Sequence, residues 1–258
     1  MNLTLISANI RFNNPADGVN AWPHRKQFLA DLLQGYNPDI IATQEGRFDQ
    51  LQELLSLLPD FEMINQHRNW INERMYPTIF IKKNTFELQN SFDKWLSETP
   101  DVPGSKSFDS AFPRLMTGAV LKHQAVSNPL LVVNTHFDHI KPSTRVEQAR
   151  VLSSEVKKLI EPDHRLILMG DYNDSPESET RQVVSTTFPH LQDAWRLFND
   201  VEETSHHGFN SEINAGSRID WILVDQETKI IDSFLDKSHR GDVYPSDHYP
   251  VIAKIKLE

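Results

Sequence analysis

At 258 residues, with 38% hydrophobic and 24% charged, the chain has the composition of a soluble globular protein and enough apolar content for one α/β domain spanning residues 1–258. Zero cysteines exclude disulfides, thiol nucleophiles and sulfur-held zinc, and fit a cytoplasmic protein. A net charge of −10 sets the whole-molecule field against a long nucleic acid backbone and favours a small phosphorylated substrate, or a site whose negative charge is offset by cations.

No apolar run approaches the roughly 20 residues of a membrane span, and the opening Met1-Asn2-Leu3-Thr4-Leu5-Ile6 lacks the basic region of a secretory signal. Residues 3–10 read as a strand closing on Asn9. Turn chemistry follows at Asn13-Asn14-Pro15, then a helix over residues 22–33 with Phe28, Leu29, Leu32 and Leu33 inward, stopped by Gly35 and Pro38. Residues 39–45 form a second buried strand ending in Glu45, so Asn9 and Glu45 close two strands in a βαβ-like spacing and can share a cation on one rim. The structural alternatives are a turn or capping side chain for Asn9, and for Glu45 a first-turn carboxylate of a helix starting near Arg47.

Residues 61–64 are a short strand, and residues 78–81 and 86–88 are expected to form a hairpin around Lys82-Lys83-Asn84. A long loop at residues 97–113 leads to Arg114, which opens a strand over residues 115–121 and suits either a bidentate phosphate clamp or an ion pair with a carboxylate. Residues 130–136 are a third buried strand, with Asn134, His136, Asp138 and His139 at its end. His136 can donate to a phosphate or serve as a structural hydrogen-bonder; His139 takes the structural reading. The next helix carries Thr144 and Glu147 at capping-box spacing.

The apolar run Leu166-Ile167-Leu168-Met169 is a strand buried on both faces that ends in Gly170-Asp171-Tyr172-Asn173. Gly170 frees the backbone to turn, and Asp171 and Asn173 project the same way if the chain stays extended, so that carboxylate and amide can orient a water and hold a cation or phosphate oxygen. An Asx turn is the bland alternative. Helices are expected over residues 177–184 and around Asp193-Ala194-Trp195. His206 and His207 are neighbours that point to opposite faces and so do not ligate jointly. In the strand over residues 218–224, Asp220 sits among Ile219, Trp221 and Ile222 and needs a partner if buried; His248, in Ser246-Asp247-His248 before the last strand, is the candidate.

Four strands thus end in a residue capable of ligation or proton transfer. With oxygen-rich ligands and no sulfur, the implied ion is hard and divalent, Mg²⁺ before Mn²⁺. The ordered set Asn9, Gln44-Glu45, Asn134-Thr135-His136, Gly170-Asp171-Tyr172-Asn173, Arg218-Ile219-Asp220 and Ser246-Asp247-His248 resembles the endonuclease/exonuclease/phosphatase superfamily over nearly the whole chain, in particular a bacterial branch of metal-dependent hydrolases. The resemblance implies a four-layer, DNase I-like α/β sandwich of two face-to-face, mostly antiparallel sheets with helices outside. It also implies roles: Glu45 and Asn9 hold Mg²⁺ with Asp247 near a metal, Asp171 takes a proton from the attacking water that Asn173 helps position, and His248, oriented by Asp220, contacts the phosphate together with His136. The expected activity is hydrolysis of a phosphate ester by in-line attack of water. The alternatives are an endo- or exonuclease acting on DNA or RNA, a phospholipid-cleaving hydrolase, and a binding domain of the same fold that has lost catalysis.

Overall fold

The computed structural model describes residues 1–210 and 216–257. In chain order the elements are β1 (Asn2–Asn9), α1 (Trp22–Gly35), β2 (Ile40–Gly46), α2 (Phe48–Leu57), β3 (Phe61–Ile64), β4 (Tyr76–Lys82), β5 (Glu87–Trp95), β6 (Leu115–Lys122), β7 (Leu130–His136), α3 (Pro142–Leu159), β8 (Arg165–Asp171), α4 (Glu179–Thr187), β9 (Leu191–Asp193), β10 (Asp220–Asp225), β11 (Lys229–Leu235) and β12 (Val251–Lys256). They build two six-stranded sheets, in the orders β11-β12-β1-β2-β4-β3 and β5-β6-β7-β8-β10-β9. Pairing is antiparallel except at the centre of each sheet, where β1 lies parallel to β2 and β7 parallel to β8. Parallel neighbours need a crossover rather than a tight turn, and α1 and α3 supply it. No helix among the described residues is long and apolar enough to cross a membrane.

The period-two alternation of the strands sorts their side chains into layers. Leu3, Leu5, Ile40, Ala42, Leu130, Val132, Ile167, Met169, Ile222 and Val224 meet in one cluster between the sheets. Their odd neighbours in sequence face outward: Ile6 and Ile41 pack with Leu29, Leu33, Leu51 and Leu54 of α1 and α2, while Leu131, Val133, Leu166 and Leu168 pack with Ala149, Leu152, Val156 and Val184 of α3 and α4. The result is the four-layer sandwich expected from the motifs. Because both faces of the central strands are covered, their sequences read as continuous apolar runs.

Continued along the strands, the inner rows turn polar at one common end: Asn9 after Leu5 and Ser7, Gln44 after Ala42, Asn134 and His136 after Val132, Asp171 after Met169, and Asp220 before Ile222. Just beneath that end the sheets are stitched by buried amides. Gln44 Nε2 donates to Asn134 Oδ1 at 2.7 Å, and Asn134 Nδ2 donates to the carbonyls of Thr43 and Thr78 at 2.8 and 3.0 Å. A second stitch is Arg68, in the β3–β4 connection, which donates to both oxygens of Asp93 on β5 and to the hydroxyls of Thr78 on β4 and Thr117 on β6.

Several local expectations fail. Residues 78–81 and 86–88 do not form a hairpin: β4 pairs with β2 and β3, whereas β5 pairs with β6 in the other sheet, so the chain changes sheets across Lys83-Asn84-Thr85. Thr144 and Glu147 do not make a capping box, since Pro142 already occupies the first turn of α3 and the Thr144 hydroxyl donates to the Phe108 carbonyl. The expected helix around Asp193 is a short 3₁₀ turn, Trp195–Leu197. Gly170 lies within β8 rather than at a turn, with φ of 146°, and a Cβ there would stand 2.3 Å from the Thr135 carbonyl oxygen of β7. Gly118 on β6 is required for a different reason: a Cβ would fall 2.1 Å from the Phe92 ring on β5. Gly118→Ala is therefore expected to lower stability by about 1–3 kcal/mol through overpacking, seen as a lower urea midpoint at unchanged m-value.

Candidate active site

The polar ends of the inner rows open into a cavity of about 370 Å³, whose wall includes Glu45, Arg114, His136, Asp171, Asn173, Asp247 and His248. Seven of the sequence-derived site residues therefore share one cavity. The other two, Asn9 and Asp220, are 1% exposed and stand behind the wall as partners of residues that line it.

Asp171 is the centre. Its Oδ2 accepts from Asn9 Nδ2 at 2.9 Å and lies 3.4 Å from His136 Nε2 and 3.9 Å from His248 Nε2. Its Oδ1 accepts from the backbone N–H of Asn173 at 2.9 Å, and Asn173 takes a left-handed φ of 51°. The chain is thus not extended here, and the Asx turn and the site are the same structure. The turn aims Asn173 so that its Nδ2 donates to the Phe137 carbonyl at 3.0 Å. Burial, then the charge of Asp220, push the Asp171 carboxyl well above the ordinary carboxylate range, against the opposing pull of His248 and the bond from Asn9.

Asp220 opens β10 directly opposite Asp171 in the strand register. Its Oδ2 accepts from Ser205 Oγ at 2.7 Å and lies 2.9 Å from His248 Nδ1, so the carboxylate fixes the imidazole's orientation. Burial alone would lower the His248 pKa, but the Asp220 charge and bond, with Asp171 and Asp247 beyond, raise it well above the usual histidine value. His136 is the opposite case. Arg114 Nη1 donates to its Nδ1 at 2.9 Å, which leaves the proton of the neutral ring on Nε2, facing Asp171. Burial, then the Arg114 charge, keep it neutral by holding its pKa well below the usual value. Arg114 Nη2 lies 3.3 Å from His139 Nδ1, so its terminal amino groups meet two imidazoles and not the carboxylate partner that sequence alone also allowed.

Glu45 belongs to β2, not to the first turn of α2, which has its N-cap at Arg47. It adopts φ of 66° where the β2–β4 register shifts between Thr43 and Gly46, and its Oε2 accepts from the Phe12 N–H at 3.1 Å. Asp247 Oδ2 lies 3.7 Å from Arg11 Nε and 3.9 Å from His206 Nε2. Asp247, His206 and His248, and likewise Asp171, Asp220 and His248, stand close enough together to hold a metal ion. The oxygen donors Glu45 and Asp247 line the same cavity as Asp171 and the Asn173 carboxamide, and oxygen donors are the type that suits a hard divalent cation.

Several residues on or behind this wall went unrecognised in the sequence, His139, His206 and Arg25 among them. His139, read as structural, stacks on Phe112 with ring centroids 5.9 Å apart and lines the cavity. His206 lines it too, while His207 turns the other way and stacks on Tyr249 at 4.1 Å, as expected for neighbours on opposite faces. Arg25, fully buried in α1, donates to the carbonyls of Ile10, Arg11, Asn20 and Pro245 and so ties together the loops that carry Arg11 and Asp247. Arginine in a helix gives no sequence signal of that task.

Two face-to-face mixed sheets between outer helices, with an acid- and imidazole-lined cavity at one end, define the DNase I-like class of α/β sandwiches. The chain belongs to the endonuclease/exonuclease/phosphatase family, whose model matches residues 6–248. It is similar to the endonuclease/exonuclease/phosphatase from Bacteroides vulgatus, at 27% identity and a TM-score of 0.90 with 100% of each chain covered. It is also similar to a mannosyl-6-phosphatase from Bacteroides thetaiotaomicron, at 28% identity and a TM-score of 0.86, covering 99% of this chain and 100% of that one. An uncharacterized protein of Acanthamoeba polyphaga mimivirus is 24% identical over 198 residues, 74% of each sequence. Members of this family hydrolyse phosphoester bonds, and this chain is an enzyme of that kind.

Proposed function

We propose that the protein catalyses Mg²⁺-dependent hydrolysis of a small-molecule phosphate ester by in-line attack of water, with phosphorylated sugars the favoured substrates. The observation that carries this reading is Asp171: a buried carboxylate of raised pKa, held by Asn9 and the Asn173 amide and facing one neutral and one charged imidazole. Support for the substrate class comes from the confined cavity of about 370 Å³, the net charge of −10 and the similarity to a mannosyl-6-phosphatase.

In this mechanism Asp171 takes the proton of the attacking water, its raised pKa making it a stronger base than an exposed aspartate. Asn173 positions that water. His248, kept charged by Asp220, faces the phosphoryl oxygens as a fixed positive group, and His136 adds a neutral Nε2–H donor. Arg114 holds His136 in that tautomer and places its own charge beside the phosphate. Glu45, with Asn9 and Asp247, would hold Mg²⁺, or Mn²⁺ in its place, which supplies charge neutralisation at the phosphoryl and leaving oxygens.

The test is a substrate panel of sugar phosphates, p-nitrophenyl phosphate, bis-p-nitrophenyl phosphate, single-stranded DNA and RNA, and sphingomyelin, each with and without EDTA. Hydrolysis of the sugar phosphates, lost on chelation and restored by Mg²⁺, is the expected result. Faster cleavage of DNA or RNA would replace the small-molecule reading with the nuclease one, and chelator-insensitive turnover would remove the metal.

A further inference from the structure

Beside the catalytic cavity lies a second one of about 310 Å³, and the two share the walls Phe12, Met75, Phe112 and Arg114. Its remaining lining is Arg47, Asn72, Glu73, Arg74 and Pro113. The Nε atoms of Arg47, Arg74 and Arg114 are all buried and have no hydrogen-bond partner among the described residues. A buried donor without an acceptor is costly, and folded proteins leave few of them. Three guanidinium groups thus share the wall of one cavity.

The charges agree. Among the described residues neither Arg47 nor Arg74 pairs with a carboxylate, although acidic residues outnumber basic ones 36 to 26 in this chain and most of its other arginines do find one. Glu73 is the lone carboxylate on the wall. Arg47 is kept in place by its guanidinium lying over the Phe12 ring, 5.0 Å from the centroid, and Phe112, 45% exposed, also lines the cavity.

We propose that this cavity is a second anion subsite, and that the preferred substrate is a phosphoester whose leaving group carries a further phosphate. The inference rests on the phosphoester reading of the first cavity. The scissile phosphate occupies the cavity at Asp171, the body of the leaving group passes between Phe12 and Phe112, and the second phosphate accepts from Arg47 and Arg74. Arginine suits the task because its planar fork bonds two phosphate oxygens at once.

Isothermal titration of the Asp171→Asn chain with glucose 1,6-bisphosphate and with glucose 6-phosphate tests this without turnover. The bisphosphate is expected to bind at least about tenfold tighter, the discrimination that charge-assisted hydrogen bonds provide. That ratio is expected to fall toward one in Arg47→Gln/Arg74→Gln, and to recover in part in Arg47→Lys/Arg74→Lys, which keeps the charge but not the fork. Circular-dichroism melting checks that all variants fold. A ratio near one in the parent chain, or a ratio that the double glutamine variant leaves unchanged, overturns the proposal, as does tighter competition by a single-stranded oligonucleotide than by the bisphosphate. Wild-type turnover of both sugars separates the two readings: hydrolysis with no discrimination removes the subsite alone, whereas discrimination without hydrolysis removes the catalytic reading and leaves the subsite standing.

Discussion

Asp171→Asn is expected to lower kcat on the chain's phosphoester substrate by about 10²–10⁴-fold, the usual loss when a general base is removed, and to leave the protein folded. The amide keeps the shape of the side chain, and its oxygen still accepts a hydrogen bond from Asn9 or from the Asn173 N–H. The stability expectation follows from the sign of the shift. A carboxyl whose pKa is raised on folding costs stability as pH climbs above its unfolded value, and a neutral amide escapes that cost. The variant should therefore melt no lower than wild type at neutral pH, and the difference should vanish in acid, where Asp171 is protonated in both states. Steady-state kinetics with parallel melting curves check both halves. Activity retained within a few-fold would remove Asp171 from the chemistry, and a matching fall in melting temperature would assign it to the fold.

Arg68→Met is expected to cost about 3–5 kcal/mol, because removing one member of a buried ion pair leaves the other charged and desolvated. The Arg68 side chain is fully buried and grips Asp93 through Nε and Nη2 at 2.8 and 3.0 Å, and its three further acceptors, Pro77, Thr78 and Thr117, sit on strands of both sheets or beside them. Loss of this residue unfastens the sandwich along the β4–β6 side, and urea unfolding would register it as a large drop in midpoint. The pH dependence has the opposite sign to that of Asp171. Burial by itself raises a carboxyl, yet the charge of Arg68 and its two bonds, with the His67 imidazole 3.0 Å away, outweigh it and hold Asp93 below the ordinary range. Its contribution is present above the unfolded carboxylate value of about 4 and is lost as pH falls below that. Urea midpoints followed from neutral pH into acid should decline below about pH 4 in wild type, and less steeply in Asp93→Asn.

What the sequence made legible was the row structure of the sheets. A strand covered on both faces has to be apolar along its length, so a polar residue at its end is conspicuous, and Asn9, Glu45, His136, Asp171 and Asp220 were found that way. The pairing of Asp220 with His248 was legible for a related reason, since a carboxylate among Ile219, Trp221 and Ile222 has to be answered by a partner. Sheet membership was not legible. The segments around Thr78 and Phe86 are separated by a tight polar turn, as in a hairpin, and only the pairing of each with distant strands reveals that the turn crosses between layers. His139 and His206 escaped because they come from loops, where no periodicity reports which way a side chain points. Arg68 and Arg25 escaped because burial of a cation depends on acceptors gathered from distant parts of the chain: 25 residues away for Asp93, and 220 away for the Pro245 carbonyl.

The strand orders have a consequence for the history of each molecule as well as for its finished form. The second sheet is drawn wholly from β5 to β10, while the first combines β1 to β4 with β11 and β12, so that its central strand β1 pairs on one side with β12. Asn9 reaches Asp171 across 162 residues, and His248, which reaches Asp220, directly precedes β12, the strand that lies beside β1. Contacts of such separation form late, since the chain entropy of closing them must first be overcome. A nascent chain can therefore complete the sheet that holds Asp171 while that carboxylate still lacks both Asn9 and the charged imidazole. On the proposed mechanism, the appearance of activity during refolding is expected to follow the docking of β12 against β1.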